Sequence, residues 1–289
     1  MSVSSGARIL TFPDGNPAVP KDFLHENKRT ALLIHGWAAS ADNLDSLASF
    51  LHRSGEVSCL VAEYESSLGA EYAANAIYEL VKIAADGLGR DPTENNFCIS
   101  LVGHSFGGVV GSFLLKELDF GEMFDRLITL GTPHGGVMND NELIAAMYRV
   151  VQVASRRLGL MSSLGCQTVN ELIERDKEKV LSALRSKPYP DVHACSVSAG
   201  REYLTLYDDR RLNEMINTAI QRVLRESPND GIVVESSADV RANSDAENSD
   251  VAHINDYSDF SHVCHSEIIN SQIVAANVLN RICLNGDEQ

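Results

Sequence analysis

The chain has no C-x-x-C cysteine pair, no excess of positive charge and no long apolar run, and each absence removes a class of protein. Its six cysteines, Cys59, Cys98, Cys166, Cys195, Cys264 and Cys283, are scattered, and Cys59, Cys98 and Cys195 sit inside apolar runs. They read as buried, reduced thiols and not as a disulfide or zinc framework. With 24 Lys and Arg against 40 Asp and Glu, the net charge is -16. That balance argues against nucleic-acid binding and against attraction to an anionic membrane. No uninterrupted apolar segment is long enough to span a bilayer. Met1 to Leu10 lacks a basic region followed by an apolar one, so no secretory leader is expected. The expectation is a soluble, cytoplasmic protein.

What is present is a rhythm. The 289 residues fit one α/β domain with an insertion, and 44% hydrophobic content is enough for a sizeable core. Strands are predicted at Thr30–Ile34, Val57–Ala62, in the run that starts at Cys98, at Leu127–Leu130 and at Val192–Val197. Between them apolar residues recur at helical spacing, as in Leu44, Leu47, Ala48 and Leu51, or Ala73, Ala76, Ile77, Leu80 and Ala84. Continuously apolar strands alternating with amphipathic helices imply a mostly parallel sheet covered on both faces, an α/β fold. Met1 to Lys28 suggests no chemistry.

From Val137 to Tyr189 the strand signal stops and two or three helical stretches follow. This segment reads as a helical cap inserted over the C-terminal edge of the sheet, where ligands bind in such folds. A helix over about Asp209–Glu226 is expected to bury Leu212, Met215, Ala219, Ile220 and Val223. Asp239–Asp250 reads as an acidic loop, and a last helix from near Ser266 uses Ile269, Ile273, Ala276 and Leu279. The expectation is a single domain over 1–289 with the cap at 137–189.

The chemistry gathers at Cys98–Gly108, where an apolar run ends in Gly103-His104-Ser105-Phe106-Gly107 and passes into a helical pattern. This is G-x-S-x-G between a strand and a helix, the setting in which a serine stands on a sharp, strained turn with its hydroxyl exposed. Gly103 and Gly107 flank it because side chains there would collide with neighbouring elements. The first amides of the following helix face the serine and favour negative charge beside it.

A serine hydroxyl needs a base, and the base an acid to orient it. On a sheet of this kind the chain order is Ser, then Asp or Glu, then His. Asp230, in Asn229-Asp230-Gly231-Ile232-Val233, fits the acid slot, although a turn aspartate often bonds only its own backbone. Asp208, Asp209, Asp239, Asp256 and Asp259 are rivals. For the base, His253, His262 and His265 lie far enough along, and His265, directly before the last helix, is preferred over His262. Two backbone amides should complete an oxyanion hole, that of Phe106 after the nucleophile and that of Trp37 in His35-Gly36-Trp37 after the first predicted strand.

Taken in order, Leu33-Ile34-His35-Gly36-Trp37, Gly103-His104-Ser105-Phe106-Gly107-Gly108, Gly131-Thr132-Pro133-His134-Gly135-Gly136 and Asn229-Asp230-Gly231-Ile232-Val233 resemble the lipase/esterase branch of the α/β-hydrolase superfamily. The resemblance runs from about Thr30 to Leu279. It implies Ser105 as nucleophile, Asp230 as acid, His265 as base, and Trp37 and Phe106 as oxyanion donors. It also implies a small-molecule carboxylic ester, lipid-like or otherwise apolar, as substrate, with no cofactor and no metal. Acyl transfer, thioester or amide cleavage on the same triad is the neighbouring alternative. A non-catalytic protein that binds a small ligand in the same pocket is the alternative of another class.

Overall fold

The structure, a computed structural model, describes residues 6–24, 28–88, 99–118, 123–136, 167–172, 180–190, 192–204, 210–221, 228–243, 251–254, 260 and 262–284. Seven strands form one sheet: β1 (Arg8–Thr11), β2 (Arg29–Ile34), β3 (Val57–Glu63), β4 (Ile99–His104), β5 (Phe124–Leu130), β6 (His193–Val197) and β7 (Val251–Ile254). Their order across the sheet is β1-β3-β2-β4-β5-β6-β7. β1 pairs antiparallel with β3, and every other neighbouring pair is parallel. The chain leaves β2 for β3 on one side and returns to β4 on the other. Loops leaving β2 and β4 therefore diverge, opening the crevice in which doubly wound sheets bind ligands. Ile34 pairs with Gly103, so His35-Gly36 lies beside His104-Ser105.

Alternation along the strands divides the core. Leu32 and Ile34 of β2 pack into one cluster with the helices α2 (Ala70–Gly87) and α3 (Phe106–Glu117). Ala31 and Leu33 pack into the other with α1 (Asp45–Arg53) and the C-terminal helix α8 (Gln272–Cys283). The chain thus has the α/β-hydrolase arrangement, a mostly parallel sheet with helices on both faces. Within 137–189, the short helices α4 (Gln167–Leu172) and α5 (Val180–Ser186) are described. Leu172, Leu181 and Leu184 join the α2–α3 cluster, and the Lys116 ammonium on α3 donates to the Leu184 carbonyl. The rest of the expected cap, 137–166 and 173–179, lies outside the described residues. No described helix is long and apolar enough to cross a membrane.

Two residues expected on inward helix faces, Met215 and Ile273, are instead exposed, whereas Ile269 is buried as expected and the side chains of Leu212, Ala219, Ile220 and Val223 lie outside the described residues. In α6 (Arg210–Gln221), Met215 is 56% exposed, while Asn213 and Asn217 are buried. The Asn217 amide explains this: its Oδ1 accepts the Leu204 N–H at 2.6 Å and its Nδ2 donates to the Leu204 carbonyl at 2.8 Å. An amide bonded on both sides recovers in hydrogen bonds what it loses in leaving water, so Asn217 is accommodated in a buried position. The last helix starts later than Ser266. A 3-10 turn at Ile268–Asn270 comes first, and the Ser271 hydroxyl then caps the helix by accepting the Val274 N–H. This start sets the helical phase, so Val274, Ala275, Val278 and Ile282 are buried and Ile273 is 49% exposed. Cys59 and Cys195 are buried as expected, and burial pushes their thiols up to about 12 and about 11, which leaves them unreactive. Cys98 and Cys166 lie outside the described residues.

Candidate active site

Ser105 stands between β4 and α3 with φ 53° and ψ -124°, a conformation that costs a non-glycine residue about 1–3 kcal/mol. The surroundings hold it there. Its N–H donates to Leu130 O at 2.8 Å, and α3 buries Phe106, Val109, Val110, Leu114 and Leu115, each worth about 1.5–3 kcal/mol. Burial of α3 outweighs the strain at the residue that precedes it. The helix also runs close to β2, since a Cβ on Gly107 would lie 2.2 Å from the Ile34 carbonyl oxygen. Only glycine fits that approach.

The Asp230 carboxylate divides its work between its two oxygens. Oδ1 accepts the N–H groups of Ile232 at 3.0 Å and Val233 at 2.8 Å, which closes the turn. Oδ2 accepts from His265 Nδ1 at 2.8 Å. The turn role and the partner role therefore coexist. The turn is also anchored, because the one-turn helix α7 (Glu235–Ala238) follows it and Ser237 donates its hydroxyl to Gly136 O at 2.6 Å and accepts the Gly135 N–H on its carbonyl at 3.1 Å.

His265 is fixed at both ends. Its N–H donates to Asp230 O at 2.9 Å, and its carbonyl accepts from His104 Nε2 at 3.2 Å. An ionised carboxylate only accepts, so Nδ1 carries the proton and Nε2 is left with a lone pair. That Nε2 lies 2.9 Å from Ser105 Oγ. Asp230, His265 and Ser105 form a continuous hydrogen-bonded chain, with Asp230 and His265 at 2% and 5% exposure. Gly131 makes room for it. With φ 57°, it places its α-carbon where a Cβ would lie 3.0 Å from Asp230 Oδ2 and 3.1 Å from His265 Nδ1.

The two candidate oxyanion donors flank the serine. Phe106 is the first residue of α3. A Cβ on Gly36, next to Trp37, would lie 3.0 Å from the Ser105 Cβ. Neither the Trp37 nor the Phe106 amide has a backbone acceptor among the described residues. His262, exposed, is not among the partners of Ser105 or Asp230, and Asp239 instead pairs with Arg241. Asp208, Asp209, Asp256, Asp259 and the His253 side chain lie outside the described residues.

Several contributors escape a reading of sequence alone. His104 and His35 stand within the recognised motifs, yet nothing in their spacing reveals what they bond. Burial first, then the charge of neighbouring His265, pushes His104 down to about 3, so it is neutral and donates through Nε2. Burial likewise lowers His35; its Nδ1 lies 2.9 Å from Gly36 O, and its ring stacks on Tyr64 at 4.2 Å. Among the described residues no group of three or more His, Cys, Asp or Glu could hold a metal.

Solved structures share this fold. A Bacillus licheniformis lipase in its mature form superposes with a TM-score of 0.62 at 13% identity, covering 90% of this chain and 94% of that one. Lipase B of Aspergillus fumigatus gives 0.56 at 11%, over 96% of this chain and 56% of that one. Phospholipase PlaB of Legionella pneumophila gives 0.56 at 14%, over 89% and 60%. At such identities the likeness concerns the fold. By sequence, no curated protein matches. Residues 60–209, just over half of the chain, match the family described as the PGAP1-like alpha/beta domain. On that match, the chain belongs to the PGAP1-like alpha/beta domain family, and it has the α/β-hydrolase fold.

Proposed function

We propose that the protein is a serine hydrolase that cleaves carboxylic esters with apolar, lipid-like acyl groups. The observation that carries this reading is the chain Asp230 Oδ2, His265 Nδ1, His265 Nε2, Ser105 Oγ, ending on a serine in strained backbone. Ser105 Oγ attacks the ester carbonyl as His265 Nε2 takes its proton. The carbonyl oxygen, now negative, is met by the Trp37 and Phe106 amides. The imidazolium then gives its proton to the departing alcohol, leaving an acyl group on Ser105. Water repeats the sequence with His265 as base and releases the acid. Asp230 stays ionised throughout, holding the Nδ1–H tautomer and stabilising the imidazolium. The names of the structural relatives, two lipases and a phospholipase, support an acyl ester of a lipid as substrate class.

The test is covalent labelling with an alkyl fluorophosphonate, read by intact mass on the wild type and on Ser105→Ala. A single adduct on the wild type, lost in the variant, is expected, followed by turnover of p-nitrophenyl esters of graded chain length. A folded wild type that takes no adduct and turns over no ester would overturn the reading in favour of ligand binding without catalysis.

A further inference from the structure

The loop that carries the Trp37 amide is restrained from both ends. Its His35 Nδ1 bonds Gly36 O at 2.9 Å, and that carbonyl belongs to the peptide unit whose N–H is Trp37's. In a trans peptide the C=O and N–H point opposite ways, so holding the carbonyl aims the amide. One residue on, Ala38 has φ 55°; with Ser105 it is one of two non-glycine residues with positive φ among the described residues. Ala38 N–H donates to Ser66 Oγ at 3.0 Å.

Ser66, itself buried, is fixed from outside the sheet. Thr168 on α4, fully buried, donates its hydroxyl to the Ser66 carbonyl and accepts the Gly69 N–H at 3.1 Å. Three residues on, the Glu171 carboxylate accepts the Ala70 N–H at 2.9 Å. α4 therefore grips the loop before α2 through groups more than 95 residues away in sequence. Oxyanion donors are effective only if aimed before the charge develops, since re-aiming them during the reaction forfeits their advantage.

We propose that Ser66 and Thr168 are positioning residues of the oxyanion loop: Thr168 fixes Ser66, Ser66 fixes Ala38, and the seating of α4 thereby sets the aim of the Trp37 amide. This rests on the ester-hydrolase reading above. The full chain is assayed as wild type, Ser66→Ala, Thr168→Val and Thr168→Ser, for p-nitrophenyl butyrate hydrolysis. Inhibition by an alkyl trifluoromethyl ketone, whose enzyme-bound hemiketal carries the oxyanion, is measured alongside. In Ser66→Ala and Thr168→Val, kcat falls about tenfold with KM within about twofold, and ketone affinity weakens by a similar factor. Thr168→Ser, which keeps the hydroxyl, recovers both. Unchanged kcat and ketone affinity in Ser66→Ala, or a Thr168→Ser as impaired as Thr168→Val, overturns the proposal. If Thr168→Val fails to fold by circular dichroism, Ser66→Ala decides alone. Fluorophosphonate labelling of the wild type separates the two levels: a labelled wild type with unaffected variants overturns only the positioning role, whereas an inert wild type overturns the hydrolase reading with it.

Discussion

Replacing Gly131 by alanine perturbs the acid–base contact without altering either partner. The new Cβ would lie 3.0 Å from Asp230 Oδ2, 3.1 Å from His265 Nδ1 and 3.3 Å from His265 Cε1, against a hydrogen bond of 2.8 Å. The φ of 57° adds a left-handed backbone cost of about 1–2 kcal/mol for any residue with a Cβ. At about 2–4 °C per kcal/mol for a chain approaching this size, the melting temperature should fall by about 2–8 °C. The contacts are relieved if the His265 ring shifts by a few tenths of an ångström, and that shift also moves Nε2 relative to Ser105. Misplacement by about 1 Å costs about a hundredfold, so a smaller shift should lower kcat by about tenfold. The assay is saturation kinetics on p-nitrophenyl butyrate beside a thermal melt. A melt that drops as stated with kcat within twofold of wild type would refute the reasoning, because turnover would then not depend on how Asp230 meets His265.

In Asp230→Asn, the amide oxygen can still close the turn, but its NH2 then faces His265 and forces Nδ1 to accept. The wrong tautomer should cost about 10³–10⁴ in kcat with the melt little changed, and a loss under tenfold would count against the assigned acid. Gly107→Ala drives a Cβ to within 2.2 Å of the Ile34 oxygen and 2.5 Å of the His35 oxygen, both backbone atoms. It should cost about 3 kcal/mol or more, and a melting temperature within 2 °C of wild type would disprove that contact. His104 is held near 3 in the folded protein against 6.5 in the unfolded chain. The unfolded state alone takes up the proton in that window, so stability is complete above pH 6.5 and is lost towards pH 3 at up to about 1.4 kcal/mol per pH unit. His104→Gln keeps an N–H for the His265 carbonyl and cannot titrate, so melts from pH 7 to 4.5 should show a shallower slope; an unchanged slope would contradict the assignment.

The interior of the sheet was legible because both of its faces are covered. β2 to β5 each carry a buried stretch rich in Val, Leu and Ile, and β6 buries Ala194, Cys195 and Val197. The edges were not. β1 takes its definition from pairing with β3, and β7 from pairing with β6, so little in four residues of either announces a strand. Single positions were ambiguous where an apolar residue stands at the border of a stripe: Ile273 and Met215 fit the pattern and are exposed, whereas Asn217, bonded to Leu204, is buried. Motif context and chain order preferred Ser105, Asp230 and His265 over their rivals, and these three side chains lie in one hydrogen-bonded chain. Neither could reveal Ser66, Thr168 or the partners of His104, because those contacts join residues 102 and 161 positions apart through carbonyls that no motif encodes.

The antiparallel strand at the sheet's edge also bears on how the molecule behaves in company. Beyond β1 the chain turns back on itself, with Thr11 N–H bonded to Asn16 O, Ala18 N–H to Ile9 O, and Leu10 bridged to Pro17. Among the described residues this edge is bordered by a short return carrying Pro13 and Pro17, residues with no N–H to offer another strand. A long parallel sheet would otherwise present β3 as a template for a second molecule. This return acts as an insulating selvedge, so that a preparation cut between Pro20 and Arg29 should self-associate at concentrations where the 289-residue chain does not.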